Sequence, residues 1–137
     1  MKPVVRNTLA VVAGVVVGSV VNMSLVTLGP SIVPPPPGAD VTTVEGLERS
    51  LPLFEPRHFV FPFLAHAVGT LVGAALTAWL AATQKLALAL VIGVVFLAGG
   101  VANAFMLSAP LWFEVFDIVA AYIPVAWLGA RPFVKRA

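Results

Sequence analysis

Apolar residues fill this chain in four long blocks, and strongly polar side chains interrupt those blocks at only a few places. A bilayer core of about 30 Å takes roughly 20 helical residues at about 1.5 Å of rise each. Blocks of that length lie at about residues 8–28, 59–82, 86–107 and 111–130, which predicts an all-α membrane protein with four transmembrane helices in a bundle. The strongly polar residues in their interiors are Asn22, His66, Asn103 and Asp117. Counted inward from the nearer block end, Asn22 and Asp117 lie about 9 Å deep, Asn103 about 6 Å and His66 about 10 to 12 Å, all toward the same face of the bilayer. Carrying such groups into hydrocarbon costs a few kcal/mol or more. They are kept where they face inward, pair, or handle something polar.

Residues 29–57 form the one sizeable loop, opening with Pro30 and the run Pro34 to Pro37, a composition that favours extended polyproline backbone. After Gly38, Thr42 and Glu45 have capping-box spacing, with Thr42 as N-cap, and Val44, Leu47 and Leu51 follow at helical spacing. A short surface helix is therefore predicted at about residues 43–50, either a connector or a lid. Pro52 ends it, and Pro56 suits the first turn of the second span.

The two halves read as related helical hairpins. Gly18 to Asn22 matches Gly99 to Asn103, each a Gly-xxx-Asn step with a proline seven or eight residues on. Glu55-xx-His58 at the start of the second span corresponds to Glu114-xx-Asp117 at the start of the fourth. Such copies relate by an axis along the membrane normal.

Composition narrows the class. The 137 residues are 60% hydrophobic and 10% charged, with mean hydropathy +1.02, well outside soluble-domain composition. Cysteine is absent, which removes disulfides and thiolate chemistry. The isoelectric point near 9.5 does not signal nucleic acid, because the basic residues are few and sit at span ends. Lys2, Arg6, Lys85, Arg131, Lys135 and Arg136 fall on one side of the membrane, and Asp40, Glu45, Glu48, Glu55 and Glu114 on the other with only Arg49 and Arg57. The positive-inside rule then places both termini in the cytoplasm and the loop on the opposite, periplasmic side. A sorting this one-sided specifies a single orientation, so a homo-oligomer is expected to be parallel. The first apolar run is longer than a secretory h-region and lacks an Ala-x-Ala exit, so it reads as a retained helix.

Glu55, His58, Pro62, His66, Thr70, Gly73 and Thr77 recur at steps of three or four along one stripe, as do Glu114, Asp117, Ala121 and Pro124. The expected site is a polar cavity of Asn22, His66, Asn103 and Asp117 with Glu55, His58 and Glu114 at its mouth. Gly14-xxx-Gly18 and Gly69-xxx-Gly73 read as close helix packing, and the two asparagines as interhelical hydrogen-bond partners. A buried His66–Asp117 pair is the constellation that points to function. Glu55-xx-His58 has di-iron spacing, but its counterpart offers aspartate instead of histidine, so the set is incomplete and no metal ligand is assigned. No catalytic serine, phosphate loop or His-Glu-xx-His motif appears, and no cofactor is identified. Trp79, Trp112, Trp127 and Tyr122 read as interfacial anchors.

Ser31-Ile-Val-Pro-Pro, Leu53-Phe-Glu-Pro-Arg-His-Phe, Phe61-Pro-Phe-Leu-Ala-His-Ala and Ala121-Tyr-Ile-Pro-Val-Ala-Trp make the chain resemble, over nearly its full length, a family of small uncharacterised bacterial four-helix integral membrane proteins. The resemblance implies four helices in an inner membrane and carries no activity to any residue. The residues favour a binding, transport or accessory-subunit role in the lipid bilayer, as a parallel homo-oligomer or part of a larger membrane complex. The alternative is a small membrane enzyme, metal-dependent or not, using His, Glu and Asp at the outer face.

Overall fold

With no helix breaker before its thirtieth position, the first apolar block forms one continuous helix, α1 (Pro3–Ile32), opened by Pro3 in its first turn. It outlasts the predicted end at residue 28 and runs through Pro30. A proline in the last turn forfeits one backbone bond, and the Val33 N–H still closes on the Gly29 carbonyl at 2.8 Å. The computed structural model describes residues 1–135; Arg136, counted above with the basic residues, lies outside them.

The loop carries α2 (Val44–Ser50), one residue out of the predicted register. Asp40 captures Thr42, accepting from its backbone N–H at 3.0 Å and its hydroxyl at 2.5 Å. Thr43 caps instead, its hydroxyl oxygen accepting the Gly46 N–H at 2.9 Å. A 3-10 turn (Pro56–Phe59) leads into α3 (Val60–Leu80), followed by α4 (Lys85–Met106). The fourth block is not one helix. It divides into α5 (Leu111–Ala120) and α6 (Ile123–Ala130), because Pro124 has no N–H for the Ala120 carbonyl and its ring crowds that turn.

Four helical segments are long and apolar enough to cross a membrane: Pro3–Ile32, Pro56–Leu80, Lys85–Met106 and Leu111–Phe133. The protein is thus an all-α, multi-pass membrane protein with one short extra helix, and the described residues contain no strand. An even number of crossings puts both described ends of the chain at one end of the bundle, the terminal end, and α2 at the other, the loop end.

α3 is the central helix, packed on α1, α4 and α6. Its contact with α1 is backbone on backbone: a Cβ on Gly18 would lie 2.7 Å from the Gly69 carbonyl oxygen, and one on Gly73 2.6 Å from that of Gly14. Only glycine permits that approach. Toward the terminal end Ala74, Ala78, Ala89, Ile92, Ala126 and Ala130 form a fully buried core. The Thr77 hydroxyl there donates to the Ala10 carbonyl at 3.1 Å, and the Lys85 ammonium caps α3 through the Ala78 carbonyl at 2.6 Å. Arg6 donates to the Leu80 carbonyl at 2.7 Å, and the Asn7 amide oxygen accepts from the Ala82 N–H at 2.9 Å. The loop end closes over rings instead. Leu51, Phe59 and Phe113 are its buried centre, with the Phe59 and Phe113 rings 4.6 Å apart.

Candidate functional site

Between these two packed regions the bundle is hollow. A cavity of about 450 Å³ is walled by α1, α3, α4 and α5, and its lining includes Asn22, His66, Asn103, Glu114, Asp117 and Tyr122. Most of the remaining wall is apolar, from Phe96, Phe113 and Ile118 to the roof formed by Leu47, Leu51 and Phe54. Glu48 tethers that roof, accepting from the Ser108 backbone N–H at 2.7 Å and from its hydroxyl at 2.5 Å. These bonds hold the exposed Glu48 carboxyl below the usual carboxylate range, the hydroxyl being the larger cause.

Asp117 is the chemical centre of the site. It is 5% exposed, and both of its carboxylate oxygens lie 2.9 Å from His66 Nδ1. Tyr122 donates its hydroxyl to Asp117 Oδ2 at 2.9 Å, and its ring lies nearly parallel to the His66 imidazole at 5.8 Å. A carboxylate can only accept, so Nδ1 carries the proton and Nε2 remains the free nitrogen of the ring. One turn on, the buried Thr70 hydroxyl donates to the His66 backbone carbonyl at 2.7 Å.

Tyr122 is the member the sequence reading assigned elsewhere, as an interfacial anchor. It is 2% exposed. On an unbroken helix it would sit about 140° around from Asp117 at about 100° per residue. The break at Ala121 and Tyr122 turns it inward, and Gly100 makes the room, since a Cβ there would fall 2.6 Å from Tyr122 Cζ. The pairing of Gly100 with a proline shortly after an inward acid was the available signal.

Both asparagines line the cavity, but neither side chain makes a hydrogen bond among the described residues, contrary to the interhelical role expected of them. The Asn22 carboxamide oxygen is buried without a partner. Asn103 is exposed, as are Gly99 on the same helix and Met23 and Val26 across the gap on α1, although all four line the cavity. A Cβ on Gly99 would meet nothing within 4 Å. Exposed lining residues on two facing helices mark a lateral opening. Nearer the terminal end the gap is shut, where Gly14 and Gly18 lie against Ile92 and Phe96.

Glu55 and His58 lie outside the cavity lining. Glu55 is exposed and pairs with Arg57 at 3.1 Å, while buried His58 accepts the Glu55 N–H at Nδ1, 2.8 Å away. Their spacing serves a helix start. Glu114 does line the cavity, half-buried and without an ion pair among the described residues. Among the described residues no three His, Asp or Glu side chains converge as a metal site. The hairpin halves therefore place their matching pairs differently: Glu114 and Asp117 face the hollow, Glu55 and His58 do not.

No family model, curated protein or solved structure matches this chain.

Proposed function

We propose that this protein binds a small amphiphile drawn sideways from the bilayer, holding its chain against the apolar wall and its head near the His66–Asp117–Tyr122 network. The observation that carries this reading is a laterally open cavity lined by two carboxamides that make no side-chain hydrogen bond among the described residues, the Asn22 oxygen being buried. An unpartnered amide at membrane depth costs on the order of a few kcal/mol, a cost that a polar head group removes. Cavities of about 300–1,000 Å³ with few polar groups are typical of small-molecule sites. The charge sorting of the loops supports cytoplasmic termini and a site in the opposite leaflet, and the family resemblance supports a bacterial inner membrane as its setting. The fully buried alanine core beneath the cavity favours binding or handover on one side over an open channel.

The test uses the full chain in phosphatidylcholine nanodiscs and a diazirine-bearing monoacylglycerol. Labelling should concentrate on Met23, Phe96 and Asn103 and fall when unlabelled monoacylglycerol is added. Uniform labelling of the outward faces of the bundle, indifferent to competitor, overturns the reading.

One observation supports a second reading. His66, oriented by Asp117 through Nδ1, presents Nε2 in the manner of a general base, which suits an enzyme acting on the bound molecule. Chemical alteration of the captured amphiphile by the native protein, absent with His66→Ala, would establish it by mass spectrometry.

A further inference from the structure

The cavity's polar end has a sign. Its ionisable lining is His66, Glu114 and Asp117, with no lysine or arginine among the lining residues. Asp117 has its hydrogen bonds within the protein, from His66 and Tyr122, whereas Glu114 is half-buried and unpaired. The charged residues of the neighbouring loop do not change this balance: Arg57 pairs with Glu55, and Arg49 is exposed and away from the lining. A carboxylate or phosphate entering the pocket would therefore meet two acidic side chains, Glu114 and Asp117, with only His66 to offset them, across apolar walls where like charges repel more strongly than in water. Meanwhile Glu114 can only accept hydrogen bonds, and each of the two carboxamides can accept as well as donate.

We infer that the occupant is a single-chain amphiphile whose head donates hydrogen bonds and carries no negative charge, an amine or a hydroxyl, seated between Asn22 and Asn103 and facing Glu114. The volume agrees with one chain. A volume of about 450 Å³ lies in the range of small-molecule sites, which suits a head group and one chain. This inference rests on the amphiphile-binding reading above and adds the head-group class.

The experiment competes the same diazirine label with dodecylamine, monododecanoylglycerol and dodecanoate, each normalised to its mole fraction in the nanodisc near neutral pH. Dodecylamine should compete about tenfold more strongly than dodecanoate, with monododecanoylglycerol between them. Glu114→Gln should bring dodecylamine down to the level of monododecanoylglycerol and leave the latter unchanged. Asn22→Ala combined with Asn103→Ala should weaken both by about tenfold, judged on protein that stays monodisperse. Dodecanoate competing as well as or better than the amine overturns the head-group assignment while amphiphile binding stands. Labelling that none of the three competes away removes both.

Discussion

The terminal half of the bundle and the loop half solve opposite problems with the same helices. In the terminal half, glycine and alanine let backbones touch, and the buried Thr77 hydroxyl hands its hydrogen bond to a carbonyl one helix away. In the loop half, rings and a short roof helix hold the helices apart, and three polar side chains cluster while two carboxamides go without partners. The difference teaches that polarity within a membrane protein is informative only where it is left over. Thr70 and Thr77 are as buried as Asp117, yet they are consumed by the backbone and mark rigidity.

The sharpest way to break the contrast is to add bulk on each side of it. Gly18→Leu should force α1 and α3 apart at the Gly69 carbonyl and cost about 3 kcal/mol or more, seen as lost monodispersity and a lower unfolding temperature. Next in size is the buried network. Tyr122→Phe removes one donor from Asp117 and should cost about 1–2 kcal/mol in thermal unfolding. Gly99→Ala has the opposite sign from Gly18. With nothing near its Cβ, it should stabilise α4 by about 0.5–1 kcal/mol in the same assay, whereas Gly99→Leu should keep the fold and narrow the portal, weakening competable labelling. A Gly99→Leu variant that labels as the native protein does would place the entrance elsewhere.

The smallest effect concerns the roof. The folded Glu48 carboxyl sits below its ordinary range, so its tether to Ser108 contributes fully above the unfolded carboxylate range and is lost as pH falls through the folded value. Protection factors of the amides of residues 44–53, taken relative to the intrinsic exchange rate at each pH, should fall on acidification, and Glu48→Gln should show much of that fall at neutral pH. The carboxylate is solvent-exposed, so only this local signal, not global unfolding, is expected to move.

The four spans and the surface helix are legible in the sequence because hydrophobic length and loop composition are properties of consecutive residues. So is close packing at the two Gly-xxx-Gly runs, since that spacing is local, although it does not say that the runs meet each other. What escapes is whatever depends on how a helix is turned. Thr42 lost the cap to Thr43 because Asp40, two residues back, competed for it. Tyr122 joined Asp117 because Pro124 broke the span between them. Asn22 and Asn103 read as partners for neighbouring helices, but α1 and α4 part before reaching them, and no periodicity encodes that divergence. His58 and His66 share a stripe on paper, yet the 3-10 turn at Pro56–Phe59 winds more tightly than the α-helix after it and gives His58 a different direction.

On the amphiphile-binding reading proposed above, a roof over the loop end and a gap in the side wall open the hollow to lipid rather than to solution. Its occupancy is then governed by how crowded the surrounding leaflet is with guest, expressed per lipid molecule. Adding buffer should leave a loaded protein loaded, while adding empty vesicles should strip it.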